Sequence, residues 1–427
     1  MKTQYIAIGV AVILAGISVL VLTGILPGMR SNQEARENLL MWGFHDPDIM
    51  QAFMGVTQDI EGASEIQYVL KDINTWESDF LNTLARGGDD IPDILVFPSD
   101  YLQKHKDKLS FAPIAILTEN AIKQQFVESG DVFLSAKGDV FGIPFYADAL
   151  VLYWNKDLFT QNLITLPPKT WNEFSEISNK ITRKDSTGTV TVSGAALGRG
   201  INIKNTPLIT STLFLQGGDE IIDQTGRVVL GGDRQSGSVI VRPAEDALRF
   251  MSDFSNPRKT IQSWSPAFPE AREAFVSQKL GMYLGLMSEY KEIKDINPHL
   301  NFAVAPVPQL KDSPRTVTGG TLYALVVPKA SPKQQSAWTF AKYFSNYANS
   351  SWYADASGGV SLRRDILPQY QRESMRSAFA EAALTLKLWM VPDPKLAEQV
   401  FREVVEDVAL ERATFRDALN KVKARLE

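Results

Sequence analysis

The segment Gly142–Phe159, GIPFYADALVLYWNKDLF, constrains the fold more than any other part of the chain. Its first part predicts a strand ending in a loop around Tyr146 and Asp148, and the apolar run Ala149–Trp154 is typical of a buried strand. A carboxylate between two such strands is expected where a chain leaves one lobe and enters the next in an extended conformation. We therefore expect Asp148 to lie between two lobes, where ligand pockets tend to form.

The length and composition favour a two-lobed soluble protein. At 427 residues the chain is too long for one compact core, and 44% hydrophobic with 22% charged residues is ordinary for a globular protein. The net charge of -5 argues against nucleic acid as a partner, because phosphate binding needs a basic face. Without cysteine there are no disulfides, thiolate metal sites or thiol nucleophiles. The three histidines are far apart and none has HExxH spacing, so we expect neither a metal nor another cofactor.

An uncharged run of 22 residues, Tyr5–Leu26, stands near the N-terminus. As a helix it would be about 33 Å long, enough to cross a hydrocarbon core of about 30 Å. A cleaved signal peptide remains an alternative, but its apolar part usually has about 7–15 residues and a small-x-small cleavage site, which this segment lacks. We therefore expect a single-pass membrane anchor with its flank over 1–30 and a tether over 31–38, with the globular part extracellular or periplasmic.

The first part of the globular region alternates strands with helices. The predicted strands are Leu39–Gly43, Ile66–Leu70 and Asp93–Phe97. One intervening helix is Trp76–Arg86, whose apolar residues share one face. This alternation predicts an α/β fold with a parallel sheet, in which ligands sit beyond the carboxyl ends of the strands. Asp46, Phe97 and Asp100 fall at those ends.

Further segments predict how the chain moves between the lobes. Thr170–Glu173 has the pattern of a capping box and predicts a helix start. Thr316–Val327 repeats the arrangement around Asp148, with a glycine pair before an apolar strand, and predicts a second crossing. Trp352–Leu362 contains glycines and predicts a third. From Lys395 an apolar stripe predicts one amphipathic helix up to the end of the chain.

Eight segments, in their order along the chain, carry a resemblance to a known family. They are PDILVFPSD (Pro92–Asp100), GIPFYADALVLYWNKDLF (Gly142–Phe159), P-x-T-W-N-E-F (Pro168–Phe174), LFLQGGD (Leu213–Asp219), AREAFVSQKLGMYLG (Ala271–Gly285), VAPVPQ (Val304–Gln309), TGGTLYALVVPKASPKQQSAWTFAKYF (Thr318–Phe344) and SGGVSLRRDIL (Ser357–Leu367). In them the chain resembles the maltose-binding type of extracellular solute-binding protein, family 1, the receptor component of ABC sugar importers.

The resemblance covers nearly all of Leu39–Glu427 and implies a periplasmic-binding-protein fold of type II. Such a fold has two α/β lobes joined by three crossings, which close around a ligand by hinge motion. We assign 39–147 plus 321–360 to lobe 1 and 148–320 plus 361–427 to lobe 2. The resemblance also implies that ABC permease subunits are partners.

The chain departs from the family pattern in three places. Family members usually carry a Gly-Pro-Trp-like segment after the GMYLG strand, whose tryptophan stacks on sugar, whereas this chain has Gly285–Ser288, GLMS. A proline usually precedes the arginine near Gly359, whereas this chain has Ser361-Leu362-Arg363. The expected anchor is a helix in place of a lipidated cysteine. The first departure leaves the aromatic platform for a sugar unassigned.

The resemblance also places candidate ligand-binding residues. Asp148, Asp100 and Asp46 match positions where family members direct polar side chains toward the ligand, and Phe97 stands where a cleft aromatic often lies. Carboxylates accept hydrogen bonds from several sugar hydroxyls, and aromatic faces cover the apolar face of a sugar ring. The remaining candidates are Tyr146, Trp264, Trp352, Trp389, Gly319 and Gly320.

Structural roles compete with these assignments. Asp46 and Asp100 follow strands and can cap the next helix, whereas Asp148 precedes a strand, where capping explains it poorly. Trp264 can equally belong to the core, and the glycine pair can simply permit a turn. Tryptophans on regular elements are expected to pack in the core, namely Trp42, Trp76, Trp171 and Trp338.

The favoured function is reversible binding of a carbohydrate-like ligand and its delivery to an importer, without catalysis. An anchored extracellular polysaccharide hydrolase with a carboxylate pair drawn from Asp46, Asp100 and Asp148 is one alternative. A ligand sensor that does not transport is another. No G-x-S-x-G nucleophile elbow or phosphate-binding loop is present. An oligosaccharide, a polyol and a phosphorylated sugar all remain possible ligands.

Overall fold

The computed structural model of this protein describes residues 38–57, 65–223, 226–236, 239–311, 313 and 315–427. The strands are β1 Asn38–Gly43, β2 Glu65–Leu70, β3 Ile94–Pro98, β4 Gly142–Asn155, β5 Arg183–Lys184, β6 Val190–Ala195, β7 Arg234–Ser236, β8 Val239–Val241, β9 Leu280–Leu286, β10 Phe302–Ala305 and β11 Gly320–Val326.

The α-helices are α1 Pro47–Thr57, α2 Trp76–Arg86, α3 Leu102–His105, α4 Glu119–Gln125, α5 Lys156–Gln161, α6 Trp171–Ile181, α7 Thr206–Gln216, α8 Pro243–Asp253, α9 Ala271–Val276, α10 Glu289–Ile296, α11 Gln334–Phe344, α12 Tyr347–Ser357, α13 Ser374–Leu384, α14 Pro394–Ala409 and α15 Phe415–Leu426. The 3-10 helices are Ser99–Tyr101, Lys106–Lys108, Glu128–Phe133 and Leu367–Arg372. The three predicted strands of the first lobe and the predicted helix Trp76–Arg86 are all present.

Strand β4 joins the two halves of the molecule. Its first half, through Ala149, pairs with β11, which in turn pairs with β3 next to the parallel strands β1 and β2. Its second half, from Leu150, pairs with β9 and β10. Strand β9 in turn pairs with β6 in a parallel orientation. The 14 residues of β4 therefore pass through two sheet regions without a break. The predicted crossing at Asp148 and the second crossing at β11 thus lie side by side.

The core contains the large apolar residues that the sequence patterns place inward. The predicted packing tryptophans Trp42, Trp76, Trp171 and Trp338 are at most 7% exposed. Helix α6 begins as predicted, with the Thr170 hydroxyl accepting a hydrogen bond from the Glu173 amide at 3.3 Å. Burial of these side chains provides the main favourable contribution to folding.

The first part of the predicted third crossing, Trp352–Leu362, lies in the first lobe. Trp352 belongs to α12 and packs against Phe53 of α1 in the first lobe, with ring centroids 5.5 Å apart. Arg363 still contacts this lobe, because its guanidinium donates to the Ser345 carbonyl and to Gln125. The chain reaches the second lobe only with α13, whose Phe379 ring meets Tyr290. These contacts favour a lobe boundary C-terminal to the predicted 360/361 division, and the boundaries themselves stay a prediction.

The prediction of a single C-terminal helix is wrong, because the structure has two helices in this part of the chain. Helix α14 ends at Ala409, and Glu411 then adopts a positive φ of 55°. Thr414 starts α15 by accepting a hydrogen bond from the Asp417 amide at 3.1 Å. The local capping signal at Thr414 interrupts an apolar stripe that otherwise continues, because the two helices form a hairpin and bury the same stripe against each other.

Tyr5–Leu26, the predicted anchor, lies outside the residues that the structure describes. Among the helices it does describe, none is long and apolar enough to cross a membrane.

Candidate ligand-binding cleft

Four side chains on β4 and β11 form a surface between the two lobes, which we call the cleft floor: Tyr146, Asp148, Thr321 and Tyr323. In the antiparallel register Thr321 is opposite Asp148 and Tyr323 is opposite Tyr146, so all four point to the same face. The two tyrosine rings are stacked, with centroids 4.4 Å apart and planes 12° from parallel. The floor residues are half-buried, whereas Ala147 between them points to the buried face.

Two cavities lie against the cleft floor. The larger, of about 590 Å³, is lined by Tyr146 and Asp148, and the smaller, of about 390 Å³, is lined by Thr321 and Tyr323. Both volumes are in the range of small-molecule sites. Elements from both halves of the chain line each cavity, so this is where a ligand would contact both lobes.

Asp148 is held in place by the turn that follows β9. Its two carboxylate oxygens accept hydrogen bonds from the Ser288 amide at 2.9 Å and the Ser288 hydroxyl at 2.6 Å. Burial raises the pKa of Asp148 to about 6, while the two bonds from Ser288 lower it. The group is therefore ionised at neutral pH but poorly solvated. A ligand that donates hydrogen bonds would compensate for that lost solvation.

Glu289 holds the turn that carries Ser288. This buried carboxylate accepts hydrogen bonds from the Tyr283 hydroxyl at 2.5 Å, from the Leu286 amide at 3.0 Å and from the Asn205 side chain at 3.0 Å. It thereby ties β9, α10 and the start of α7 together beneath the cleft. Glu289 therefore fixes the position of Ser288, the residue that precedes it.

Asp100 supports the floor from the first lobe. Its carboxylate accepts hydrogen bonds from the Thr321 hydroxyl at 2.6 Å and from the Ser99 hydroxyl at 3.3 Å. Ser99 in turn accepts a bond from the Leu322 amide at 3.1 Å, which links the end of β3 to β11. Burial raises the pKa of Asp100 to about 6. Each of the two cavities is therefore lined by a carboxylate with a raised pKa, Asp148 in the larger and Asp100 in the smaller.

Aromatic residues continue the cleft floor into the first lobe. His45 lies on the Tyr146 ring at 4.0 Å and forms a hydrogen bond with the Tyr353 hydroxyl through Nδ1. Burial lowers the pKa of His45 to about 4, so its imidazole is neutral at physiological pH. Phe44 contacts the edge of Tyr323, with centroids 5.8 Å apart. These rings form an aromatic surface although the family tryptophan after β9 is missing.

The structure brings six of the ten predicted site residues to the two cavities. They are Asp46, Asp100, Tyr146, Asp148, Gly320 and Trp389. Asp46 also accepts a bond from the Asp48 amide at 3.0 Å at the start of α1, so the capping interpretation holds for it as well. At Gly320 a Cβ would lie 2.5 Å from the Ala149 Cα, so the close approach of the crossing strands requires glycine there.

Four predicted residues line neither cavity. Trp264 is completely buried, stacks on Phe268 and donates to Asn202 at 3.0 Å. Phe97 is completely buried in the first-lobe core. Trp352 packs on α1, and Gly319 faces α7, since a Cβ there would lie 2.1 Å from the Thr212 hydroxyl. We remove these four from the proposed site.

Sequence reasoning missed Thr321, Tyr323 and Ser288. The sequence does contain an indication of Thr321 and Tyr323. Thr316–Val327 was predicted to be a crossing like the one at Asp148, and each of the two crossings contains a tyrosine. Only the register of β4 and β11 shows that Tyr146 and Tyr323 face each other. Ser288 had no local signal. Within the described residues no group of three or more histidine, aspartate or glutamate side chains is arranged to hold a metal ion.

A family model described as bacterial extracellular solute-binding protein matches residues 66–349, two thirds of the chain. This chain belongs to that family. The predicted membership is confirmed, and so is the prediction that the chain is not an enzyme, since the members of the family are binding proteins. The hydrolase alternative therefore has no support.

Individual relatives agree with this assignment. A binding protein of Brucella abortus is 25% identical over 233 residues, which is 53% of this chain and 51% of that protein. The chain thus matches about half the length of this curated relative.

Solved structures show the fold. The sugar-binding protein MalE from Xanthomonas citri is 18% identical, with a TM-score of 0.71 over 91% of this chain and 96% of that one. An ABC transporter solute-binding protein from Thermotoga lettingae bound to α-D-tagatose is also 18% identical, with a TM-score of 0.68 over 91% and 98% of the two chains. The predicted two-lobed α/β fold is confirmed.

The raised pKa of Asp100 predicts a pH dependence of stability. The folded carboxyl has a pKa of about 6, against about 3.9 in an unfolded chain. The folded state therefore binds the proton more tightly, and this contribution to stability is complete below about pH 4 and lost as the pH rises through about 6.

We expect Asp100→Asn to remove this decline and to raise the free energy of unfolding at neutral pH by roughly 2 kcal/mol. Urea unfolding of the ligand-free protein at a series of pH values measures it. Asp90→Asn, at an exposed turn outside both cavities, is the matched control. An unchanged pH slope in the Asp100 variant would contradict the prediction.

Proposed function

We propose that this protein captures a carbohydrate-like ligand between its two lobes and delivers it to an ABC importer. The observation that carries the proposal is the cleft floor, where a stacked tyrosine pair lies beside two carboxylates, Asp148 and Asp100. Aromatic faces suit the C–H face of a sugar ring, and carboxylates accept bonds from its hydroxyls. The tagatose bound by the Thermotoga lettingae protein is consistent with this class of ligand.

The proposal includes how the protein is placed in the cell. The Tyr5–Leu26 segment would anchor the chain in the membrane, and the lobes would close around the ligand and present it to permease subunits. Family membership supports an extracellular or periplasmic globular part. Fractionation of cells expressing the full chain tests the anchor, since a cleaved form would leave the membrane fraction.

A thermal-shift screen across mono- and oligosaccharides tests the binding function. A ligand that binds only the folded state stabilises it by RT ln(1 + [L]/Kd), about 2.7 kcal/mol at a ligand concentration of 100 Kd. We expect at least one neutral or charged sugar to raise the melting temperature, and isothermal titration to give a one-site curve. A panel of saccharides with no shift at millimolar concentration would contradict the proposal.

Closure of the lobes is expected to depend partly on Lys395. This residue, in the first turn of α14, donates to the Asn74 carbonyl at 3.1 Å and lies 3.9 Å from Glu77. Asn74 precedes α2 of the first lobe, and Glu77 lies in its first turn. It therefore bridges the lobes at the edge of the smaller cavity. Because Lys395 is exposed, its contribution is small, of the order of 0.2–1 kcal/mol.

We expect Lys395→Met to weaken ligand affinity by roughly two- to fivefold and to increase the radius of gyration of the ligand-free protein in small-angle scattering. Lys387→Met, at an exposed lysine that lines neither cavity, is the control. Equal affinities in the two variants would show that Lys395 does not bridge the lobes during binding.

A further inference from the structure

The charged residues that line the cleft restrict the ligand further, given the function proposed above. Within the described part of the chain, no arginine lines either cavity. Arginine is the usual partner of phosphate, sulfate and carboxylate groups on a ligand, because it binds them in a bidentate manner. The lining therefore disfavours an anionic sugar, including the phosphorylated sugar that the sequence left open.

The lysines of the cavity walls are mostly directed to other groups. Lys291 pairs with Asp295 at 2.7 Å, and the Lys294 ammonium lies 5.1 Å from the centre of the Phe302 ring. Lys395 donates to the Asn74 carbonyl. Lys204 is exposed at the rim of the smaller cavity. The positive charge of the walls is therefore engaged or peripheral.

The carboxylates of Asp148 and Asp100 have neutral hydrogen-bond partners only. Asp148 is bonded to the amide and hydroxyl of Ser288, and Asp100 to the hydroxyls of Thr321 and Ser99. None of the ion pairs found among the described residues includes either carboxylate. Burial raises the pKa of both to about 6. Among nearby charges, Glu289 raises the pKa of Asp148 more than Lys204 lowers it.

A positively charged group is the component that this arrangement lacks. A ligand ammonium beside Asp148 or Asp100 would form charge-assisted hydrogen bonds in a partly desolvated site, where such bonds are stronger than those of a neutral hydroxyl. We infer that the preferred ligand is a sugar that carries a protonated amine, which pairs with the carboxylate of Asp148 or of Asp100 in the cleft.

The test compares sugars that differ in one substituent. The probes are glucosamine, N-acetylglucosamine and glucose, the matching galactose and mannose series, and the β-1,4-linked disaccharides of glucosamine, N-acetylglucosamine and glucose. Titration calorimetry near neutral pH is expected to show that, within at least one series, the amine binds roughly tenfold or more tightly than both neutral analogues. The preference should shrink in high salt, because ions screen the charge pair.

Variants of Asp100 and Asp148 test whether these two carboxylates cause the preference for the amine. In the double variant Asp100→Asn with Asp148→Asn we expect the amine and its neutral analogue to bind with similar affinity, while Asp90→Asn keeps the wild-type preference. The ligand-free melting temperature of each variant verifies that it folds. A preference that survives in the double variant would overturn the assignment of these carboxylates.

The outcomes separate this inference from the proposed function. Neutral sugars that bind as well as or better than their amines would overturn the inference and leave carbohydrate binding intact. If no member of the panel bound, and the wider saccharide screen also failed, the proposed function itself would fall and the inference with it. A tighter amine whose advantage disappears in the double variant would support both.

Discussion

Asp148→Ala is expected to abolish the thermal shift that a bound sugar produces, while leaving the ligand-free melting temperature nearly unchanged. Asp148 is the carboxylate at the junction of the lobes, and its partners are the amide and hydroxyl of Ser288. Loss of a charged acceptor of the ligand typically costs about 1.5–3 kcal/mol per bond. With two such bonds the affinity should fall by roughly 100-fold or more.

The small effect on the ligand-free protein has a physical reason. Burial raises the pKa of Asp148, so at neutral pH the ionised carboxylate is less favourable in the folded than in the unfolded state. Its removal relieves this cost, which offsets the loss of the bonds from Ser288. The two effects have opposite signs. Burial of the side chain is therefore compatible with a functional role and a minor structural one.

Thermal-shift assays and titration calorimetry of wild type, Asp148→Ala and Asp148→Asn measure this effect. Asp90→Ala, at an exposed turn away from both cavities, controls for the loss of one negative charge. A ligand shift in Asp148→Ala as large as in wild type would remove Asp148 from the binding site. A large fall in the ligand-free melting temperature would instead mean that its main role is structural.

Glu289→Ala should have the largest effect on stability, lowering the free energy of unfolding by about 3 kcal/mol. The buried carboxylate accepts bonds from Tyr283, Leu286 and Asn205. Truncation leaves these three donors without that acceptor in a site that water reaches poorly. Because Glu289 also fixes the turn that carries Ser288, we expect ligand affinity to fall together with stability.

Helix α10 offers a matched control. Glu292 is three residues further along the same helix, is exposed and forms an ion pair with Arg272. Glu292→Ala should change the free energy of unfolding by no more than about 1 kcal/mol, as is usual for exposed ion pairs. Urea unfolding of both variants under the same conditions makes the comparison. Similar losses of stability in the two would contradict the role assigned to the buried network.

Part of the site could be predicted because it depends on local sequence. Asp148 was identified from a carboxylate between two apolar strands, and it lies on the cleft floor between the lobes. Asp100 and Asp46 were identified as residues after parallel strands, and both line the cavities. The position of a polar residue relative to a strand end is a short-range property, so it can be predicted from the sequence.

The errors had two causes, long-range packing and a local signal that was overlooked. Trp264 has the same sequence surroundings as a loop residue at a site, yet it stacks on Phe268 in the core. Trp352 lies on a helix that packs on α1. Thr414 starts a second helix where the apolar stripe alone predicted one. For Trp264 and Trp352 the deciding contacts include residues far away in sequence, Asn202 and Phe53. Thr414 differs, because its partner Asp417 is three residues away and this local capping signal was overlooked.

The sequence alone determined the alternation of strands and helices, the crossing at Asp148 and the family, because each depends on residue order and local periodicity. The tertiary structure alone decided which side chains share the cleft floor. Strand register places Tyr323 over Tyr146 and Thr321 opposite Asp148. A shift of one residue in that register would turn these side chains to the opposite face of the sheet, so the chemistry of the site depends on a pairing between segments about 170 residues apart.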